Sequence, residues 1–293
     1  MYAFAILVLL FFSMSCRDKQ PSQVPSKKTD KNFTVRVYSK SVGDSFSISV
    51  NLPNEYSTTA KHHYPVVFLL DANLYFDIAS ATLNKYSEVG LLPAIILVGI
   101  GYKDFFEMDS LRSRDNTYPT AIPEYEMSVS GGADRFLEYI NKELVHYIDS
   151  LFKTDTTNRT LIGHSLSGYF TAYAFVENCL SKRNTFNHYI SASPSLHYNK
   201  YYLLKQMGLL SEQNTSKNVT VYFTFGGLED DEDEDGEEML KVGQLSKNLS
   251  EALQTTRITY KTDIFSNLGH MDTPIPTLIK GLQWSLNGEM ESR

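Results

Sequence analysis

Short apolar runs mark the strands of this chain. Residues 33–39 (FTVRVYS) and 45–52 (SFSISVNL) are rich in β-branched residues, and the turn-like VGD between them predicts a β-hairpin. Residues 64–71 (YPVVFLLD) and 93–101 (PAIILVGIG) are almost continuously apolar, which is typical of strands that are covered on both faces of a parallel sheet. We expect a helix between these two strands.

The rest of the chain alternates between predicted helices and strands. Residues 133–152 place Phe136, Ile140, Leu144 and Ile148 at helical spacing with charges opposite, which predicts an amphipathic helix. Further elements are predicted as strands at 159–165, 188–193, 219–225 and 258–265, and as helices at 166–178, 239–254 and 276–286. This alternation predicts an α/β fold with a parallel sheet and right-handed crossovers.

The N-terminal segment has the features of an export signal. Residues 1–15 are uncharged, end in small residues and are shorter than the ~20 residues that span a bilayer, so they predict a signal peptide. Cys16 follows directly, and the arrangement resembles a bacterial lipoprotein signal, in which this cysteine is lipidated and begins the mature protein. Residues 16–32 would then be a flexible tether to a membrane. The alternative is a soluble secreted protein that is cleaved nearby.

Composition and charge narrow the classes of function. The chain has 293 residues, of which 42% are apolar, with 27 Lys plus Arg against 34 Asp plus Glu. Nine of the acidic residues lie within 229–238, so the remainder is almost neutral. Proteins that bind nucleic acid normally show a basic balance, so no nucleic-acid partner is expected. The length allows one or two domains, and we expect one large domain over residues 33–293.

The segment Gly163-His164-Ser165-Leu166-Ser167-Gly168 lies between a predicted strand and a predicted helix. In this context it is typical of a nucleophile elbow, a sharp turn that exposes a serine hydroxyl above the sheet. Ser165 is therefore the predicted nucleophile. The alternative is a turn that merely starts a helix, and Ser167 departs from the glycine that is usual at its position.

A nucleophilic serine needs a base within hydrogen-bond reach and a carboxylate that orients the base. Where such an elbow occurs, the order along the chain is serine, acid, histidine. His270 is the last histidine and lies between a predicted strand and the final helix, so it is the predicted base. The acid should follow the strand at 219–225, where we predict Glu229, with Asp230 or Asp231 as alternatives.

An acyl-transfer site also needs two N–H donors for the oxyanion. The residue after the nucleophile should supply one, which is the backbone of Leu166. The loop after the third strand should supply the other, and there we predict the backbone of Asn73.

Taken together, these segments resemble the Putative esterase family of α/β-hydrolases, which includes esterase D, enterochelin-type esterases and the mycolyltransferase antigens. The likeness rests on YPVVFLLDANLYFD, LPAIILVGIGY, SLRSRDNTYPT, NRTLIGHSLSGYF, ISASPSLHY and GHMDTP. It implies an α/β-hydrolase fold with a mostly parallel central sheet, an N-terminal β-hairpin and helices on both faces. It also implies a triad of Ser165, Glu229 and His270, with the amides of Asn73 and Leu166 as the oxyanion hole.

The resemblance indicates three further positions. Arg112 and Arg114 match a basic segment that lies near the substrate in siderophore-cleaving relatives. An ion pair between Arg114 and Asp115 is the alternative. His197 stands where the family often has tryptophan, so the pocket should differ in detail, with His197 as polar lining or as a bystander.

The acidic run contains Asp231, Asp233, Asp235 and Gly236 at the spacing of the first half of a calcium loop. Val242 stands where the bidentate glutamate of such a loop should be. We therefore favour a solvated acidic loop over a calcium site, and no metal or other cofactor is predicted.

The sequence as a whole predicts a serine carboxylic-ester hydrolase that acts outside the cytoplasm through an acyl-enzyme. Its substrate would be a small-molecule ester, with a siderophore lactone and a polysaccharide acyl ester both open. Acyl transfer to another alcohol by the same triad and a binding protein without catalysis are the alternatives. The oligomeric state is not predicted.

Overall fold

The computed structural model describes residues 31–125, 127–213, 215, 218–232 and 239–290 of the chain. The predicted signal peptide, Cys16 and the tether up to residue 30 lie outside this part of the chain, as do residues 233–238 of the acidic run. Within the described residues, no helix combines the length and the apolar character needed to cross a bilayer.

The described residues form one central sheet of eight strands, which are β1 (Asn32–Ser39), β2 (Asp44–Asn51), β3 (Tyr64–Leu69), β4 (Ile96–Gly101), β5 (Thr154–His164), β6 (His188–Ala192), β7 (Thr220–Gly226) and β8 (Thr259–Phe265). Their order in the sheet is β1-β2-β4-β3-β5-β6-β7-β8. β2 pairs antiparallel with β1 and β4, and all the other pairs are parallel. The predicted hairpin and the mostly parallel sheet are therefore confirmed.

The strands are connected by α-helices, which are α1 (Ala72–Glu88), α2 (Phe105–Asn116), α3 (Ala133–Tyr139), α4 (Val145–Leu151), α5 (Leu166–Leu180), α6 (Tyr198–Met207), α7 (Glu229–Glu232), α8 (Val242–Leu253) and α9 (Pro274–Met290). A π-helical turn (Ile140–Leu144) joins α3 to α4, so the predicted helix at 133–152 is present with one irregular turn. A short 3₁₀ turn (His270–Asp272) follows β8.

Each face of the sheet carries its own apolar core. In β3, Val66 and Phe68 belong to the larger core and Val67 and Leu69 to the smaller one, as the alternation of side chains along a strand requires. Helices α1 and α9 supply side chains to the smaller core, while α3, α5 and α8 supply the larger one. Because both faces are covered, these strands are almost continuously apolar.

Helix α2 has no counterpart among the predicted elements. Its buried apolar side chain is Met108, while Phe105 and Phe106 are exposed, so the helix lacks the apolar stripe that identifies a helix in a sequence. Its start is marked instead by Asp104, whose carboxylate accepts a hydrogen bond of 2.9 Å from the Glu107 N–H.

Helix α6 was also not predicted, and it starts in a conformation that L-residues rarely adopt. Asn199, Lys200 and Tyr201 have φ values of 48°, 55° and 61°. The Asn199 side chain holds this turn, since its Oδ1 accepts from the Ile122 N–H at 3.0 Å and its Nδ2 donates to the Thr120 carbonyl at 2.9 Å. Contacts so distant in the sequence leave no local signal.

Two histidines make the stability of the fold depend on pH. Desolvation lowers the pKa of the buried His164 and of the half-buried His188 from 6.5 to about 4. Between these two values the unfolded histidine binds a proton that the folded one does not. The free energy of unfolding should therefore fall as the pH falls through this window.

We expect His188→Gln to lose less stability than the parent protein when the pH is lowered from about 7 to about 5, because one of these two histidines is removed. Urea unfolding at both pH values measures the difference. An equal loss in the two proteins would contradict the assignment of a neutral His188 in the folded state.

Candidate active site

Ser165 lies at the sharp turn between β5 and α5. Its φ of 58° and ψ of −117° belong to a region that non-glycine residues rarely adopt, as a nucleophile elbow requires. Two backbone hydrogen bonds hold it there. The Ser165 N–H donates to the Ala192 carbonyl at 2.9 Å, and the Ser195 N–H donates to the Ser165 carbonyl at 3.1 Å. The last residue of β6 and the chain that follows it therefore fix the elbow.

The elbow depends on the absence of a side chain at two glycines. A Cβ on Gly163 would lie 2.2 Å from the Ser167 carbonyl oxygen, and a Cβ on Gly168 would lie 2.7 Å from the Ala192 carbonyl oxygen. Ser167 itself is fully buried, and its hydroxyl accepts a hydrogen bond of 2.9 Å from the His164 N–H. The serine at the unusual position is thus accommodated by a local hydrogen bond.

His270 and Glu229 form a hydrogen-bonded pair. The Nδ1–H of His270 donates to Glu229 Oε2 at 3.1 Å. The other carboxylate oxygen of Glu229 accepts from the Ser193 hydroxyl at 2.6 Å and from the Gly226 N–H. Both oxygens of this carboxylate are therefore held, and one of them faces the imidazole.

These contacts keep Glu229 ionised. Burial alone would raise its pKa, but the hydrogen bonds from His270, Ser193 and the Gly226 N–H outweigh burial, and the pKa lies below its ordinary value of 4.5. A negative charge therefore faces the imidazole at neutral pH.

Asp230, one of the alternative acids, has a different partner. Its Oδ1 accepts from the Val242 N–H at 2.8 Å, and its carbonyl oxygen accepts from the Lys241 ammonium at 2.8 Å. The side chain of Asp231 lies outside the described residues. The observed hydrogen bonds therefore favour Glu229 as the partner of His270.

Ser165, Glu229 and His270 line one cavity of about 350 Å³. These residues follow β5, β7 and β8 at the carboxyl ends of the strands, where open α/β sheets bind their ligands. Ser195 lines the same cavity, and its Oγ lies 3.4 Å from Ser165 Oγ.

The loop after β6 supplies further polar groups. His197 lines the cavity, which favours the interpretation of polar lining over that of a bystander. Ser193 and Ser195 also line it and were not singled out in the sequence. Their position directly after a strand at the carboxyl edge of the sheet is the signal that could have identified them.

Asn73 and Leu166 lie in the first turns of α1 and α5, where backbone N–H groups have no acceptor within the helix. The Asn73 side chain makes two hydrogen bonds to the backbone of Tyr102, which directly follows β4. Its Oδ1 accepts from the Tyr102 N–H at 2.7 Å and its Nδ2 donates to the Tyr102 carbonyl at 3.1 Å. Asp71, just before α1, has a φ of 51°. A role of the two amides in binding an oxyanion stays a prediction.

Arg112 lies beneath the elbow in a bidentate ion pair. Its Nε donates to Asp71 Oδ1 at 2.9 Å and its Nη2 donates to Asp71 Oδ2 at 2.8 Å. Nη2 also donates to the His164 carbonyl at 3.0 Å, and the Ser167 hydroxyl donates to Asp71 Oδ2 at 2.7 Å. This cluster joins the turn before α1 to the elbow.

Arg114 pairs with Asp115 at 2.8 Å and with Asp44 at 3.1 Å. The ion pair with Asp115, which the sequence offered as the alternative, is therefore present. Neither Arg112 nor Arg114 is among the described residues that line the cavity. Direct contact of either arginine with a substrate stays a prediction that the cavity lining does not support.

No three metal-ligating side chains of His, Cys, Asp or Glu come together within the described part of the chain. The half calcium loop considered in the sequence falls largely on residues 233–238, outside that part. Val242, at the twelfth position of such a loop, is the first residue of α8.

The sheet topology and the strand-to-helix turn at Ser165 define an α/β-hydrolase. Residues 39–283 match the family model described as Putative esterase, and the chain belongs to this family. The ferri-bacillibactin esterase BesA of Bacillus subtilis (strain 168) is 35% identical over 171 residues, which make up 53% of this chain and 57% of that protein. The match thus spans little more than half the length of this relative.

Solved structures with the same architecture support the fold. The BES protein from Bacillus cereus has a TM-score of 0.72 at 24% identity, with 90% of this chain and 99% of that chain covered. The siderophore hydrolase EstA from Aspergillus nidulans has a TM-score of 0.70 at 21% identity, with 91% and 97% covered. The α/β-hydrolase fold that the sequence predicted is therefore confirmed.

Proposed function

We propose that this protein is a serine carboxylic-ester hydrolase that works through an acyl-enzyme. The observation that carries the proposal is the single cavity lined by Ser165, Glu229 and His270, in which His270 Nδ1 is bonded to the Glu229 carboxylate at 3.1 Å. Membership of an esterase family supports the same reaction class. The order serine, acid, histidine along the chain is that of other α/β-hydrolases.

In this mechanism His270 takes the proton of the Ser165 hydroxyl through Nε2 while Oγ attacks the ester carbonyl. Glu229 holds the ring through Nδ1 and stabilises the imidazolium that forms. The N–H groups of Asn73 and Leu166 bind the tetrahedral oxyanion. His270 then gives its proton to the leaving alcohol, and water hydrolyses the acyl-Ser165 by the same steps in reverse.

Within this class we propose a siderophore ester as the substrate. The relatives described above include a ferri-bacillibactin esterase and a siderophore hydrolase. The polar residues Ser195, His197 and Tyr201 line the cavity, and hydroxyl and imidazole groups can bond to the amides and hydroxyls of a siderophore.

We expect a higher kcat/KM for siderophore lactones than for feruloyl esters, because the polar lining would bond to the amides that only the siderophores carry. Hydrolysis of both classes by the protein lacking residues 1–16 gives the comparison. A preference for feruloyl esters would favour the polysaccharide acyl ester instead.

Ser165→Ala should lower kcat by about 10⁴-fold or more and abolish covalent labelling by a fluorophosphonate, because the nucleophile is removed. Mass spectrometry of the labelled protein measures this directly. Ser195→Ala is the matched control, since this serine lines the same cavity without being the predicted nucleophile, and it should keep the labelling. Activity of Ser165→Ala close to that of the parent would exclude Ser165 as the nucleophile.

Glu229→Gln should lower kcat by about 10³- to 10⁴-fold with little change in KM, because the orienting charge is lost while the shape is kept. Asp230→Asn makes the same change one residue further on. It should leave kcat nearly unchanged, since Asp230 bonds to the start of α8 rather than to His270. The opposite ranking of the two variants would move the catalytic acid along the acidic run.

We further propose that the protein is exported and held at a membrane by a lipid on Cys16. The uncharged segment 1–15 directly before this cysteine supports the proposal, as does the tether at 16–32.

Cys16→Ser should move the protein from the membrane fraction to the soluble fraction. Release should be nearly complete, because each buried CH₂ of an attached lipid contributes about 0.8 kcal/mol to membrane binding and the variant has no attached lipid. Cys179→Ala, which removes the buried thiol, is the control and should stay with the membrane. Membrane association of Cys16→Ser at the level of the parent would indicate another anchor.

A further inference from the structure

The imidazole of His164 bridges two segments that border the site. Its Nδ1 lies 3.1 Å from the Tyr75 hydroxyl on α1, and its Nε2 lies 2.9 Å from the His270 carbonyl oxygen. The rings of His164 and His270 also pack together, with their centroids 4.7 Å apart. His164 is buried, directly precedes the predicted nucleophile Ser165, and has no place in the mechanism given above.

The partners of the His164 ring determine its tautomer. A backbone carbonyl oxygen can only accept, so Nε2 of His164 must carry the proton that it donates to His270. Nδ1 is then unprotonated in the neutral ring and accepts from the Tyr75 hydroxyl. The protonated nitrogen of the ring therefore has an acceptor, and the unprotonated nitrogen has a donor.

The surroundings keep the His164 imidazole and the Tyr75 hydroxyl uncharged. Burial, then the neighbouring His270 and, to a smaller extent, Arg112 lower the pKa of His164 to about 4, and they outweigh the hydrogen bond to the His270 carbonyl and the charge of Asp71, which both raise it. Burial and the charge of Asp71 raise the pKa of Tyr75, so its hydroxyl keeps the proton that it donates.

We propose that His164 is a positioning residue that fixes the backbone of the base His270, and that Tyr75 supports this role by donating a hydrogen bond to Nδ1 of the same ring. The inference rests on the proposed function, since it assigns His270 as the base. Nucleophile and base lie on separate turns, after β5 and after β8. The His164 ring ties these turns together from the residue next to the nucleophile.

The hydrogen bond from His164 Nε2 to the His270 carbonyl helps to set the position of the base. The His270 carbonyl is held by His164 and, at 3.1 Å, by the Thr273 hydroxyl, whereas the His270 ring is held by Glu229. Loss of the His164 bond leaves the Thr273 bond in place but removes one constraint on the backbone that carries the ring. A displacement of about 1 Å in a catalytic group can lower the rate by about 10²-fold.

The first test measures kcat and KM on a p-nitrophenyl ester. His164→Ala should lower kcat by about 10- to 10²-fold with KM within about threefold of the parent, because substrate contacts are unchanged. His164→Gln, whose amide N–H can replace Nε2–H, should recover most of the loss. Tyr75→Phe should lower kcat less, and Tyr75→Phe combined with His164→Ala should be no worse than His164→Ala alone, since Tyr75 acts through His164.

His188→Gln is the matched control. His188 is also a neutral histidine with one hydrogen-bonded neighbour, Thr220 at 2.8 Å, but it lies at the amino-terminal end of β6, away from the cavity. Its substitution should leave kcat unchanged. A kcat of His164→Ala within about twofold of the parent would overturn the proposal. The proposal would also be overturned if His164→Gln were no more active than His164→Ala. The same holds if His188→Gln lowered kcat as much as His164→Ala does.

A second readout needs no substrate. The NMR resonance of the His270 Nδ1 proton, which is bonded to Glu229, should shift and broaden in His164→Ala and return in His164→Gln. An unchanged resonance in His164→Ala would overturn the positioning role. If the parent hydrolyses no ester and is not labelled at Ser165 while this resonance responds to His164→Ala, the proposed function fails, whereas the effect of His164 on the backbone of His270 stands.

Discussion

The close approach of α5 to β5 and β6 is the constraint on which the candidate site depends. Ser165 has a left-handed φ of 58°, and such strained residues cost about 1–3 kcal/mol and persist only where the surrounding structure fixes them. Here that structure is a backbone packed too tightly for a Cβ at Gly163 or Gly168. A larger residue at either glycine would push α5 away. The hydrogen bonds that join the elbow to Ala192 at the end of β6 and to Ser195 would then be lost, and the cavity wall that Ser165 and Ser195 form would shift.

The elbow is supported by the ion pair of Asp71 and Arg112 and not by apolar side chains alone. The Asp71 carboxylate and the Arg112 guanidinium are joined by a bidentate bond, and Arg112 also bonds to the His164 carbonyl. Removing one partner of such a pair would leave a buried charge uncompensated, which is far more costly than removing both. The pair links Asp71, just before the first turn of α1 in which Asn73 lies, to the turn that contains Ser165. The two predicted halves of the oxyanion hole thus share one support.

The sequence predicted those features that are encoded locally. Strands covered on both faces are continuously apolar, so β3 and β4 were found, and the elbow pattern around Ser165 needs only neighbouring residues. Glu229 and His270 were singled out because each follows a strand and because their order along the chain is informative. Helix ends were less accurate: the last helix begins at Pro274, two residues before its predicted start, since an apolar pattern does not fix a terminus.

Features that depend on contacts across the sheet were missed. The role of His164 depends on Tyr75 and on the His270 carbonyl, which lie 89 and 106 residues away in the chain. The Arg112 ion pair was also not predicted, since its partner Asp71 lies 41 residues away in the chain. None of these three partners could be inferred from a local pattern.

The left-handed turn at the start of α6 shows how such distant contacts shape the cavity. Three consecutive L-residues with positive φ should cost roughly 1–2 kcal/mol each. The turn persists because Asn199 is bonded to Thr120 and Ile122, and because the Tyr201 hydroxyl accepts from the Leu240 N–H at 2.7 Å. A right-handed helical start would break these bonds and take Tyr201 out of the cavity wall. The strained residues Ser165 and Tyr201 line the same cavity, so conformational strain is concentrated where a ligand would need a fixed geometry.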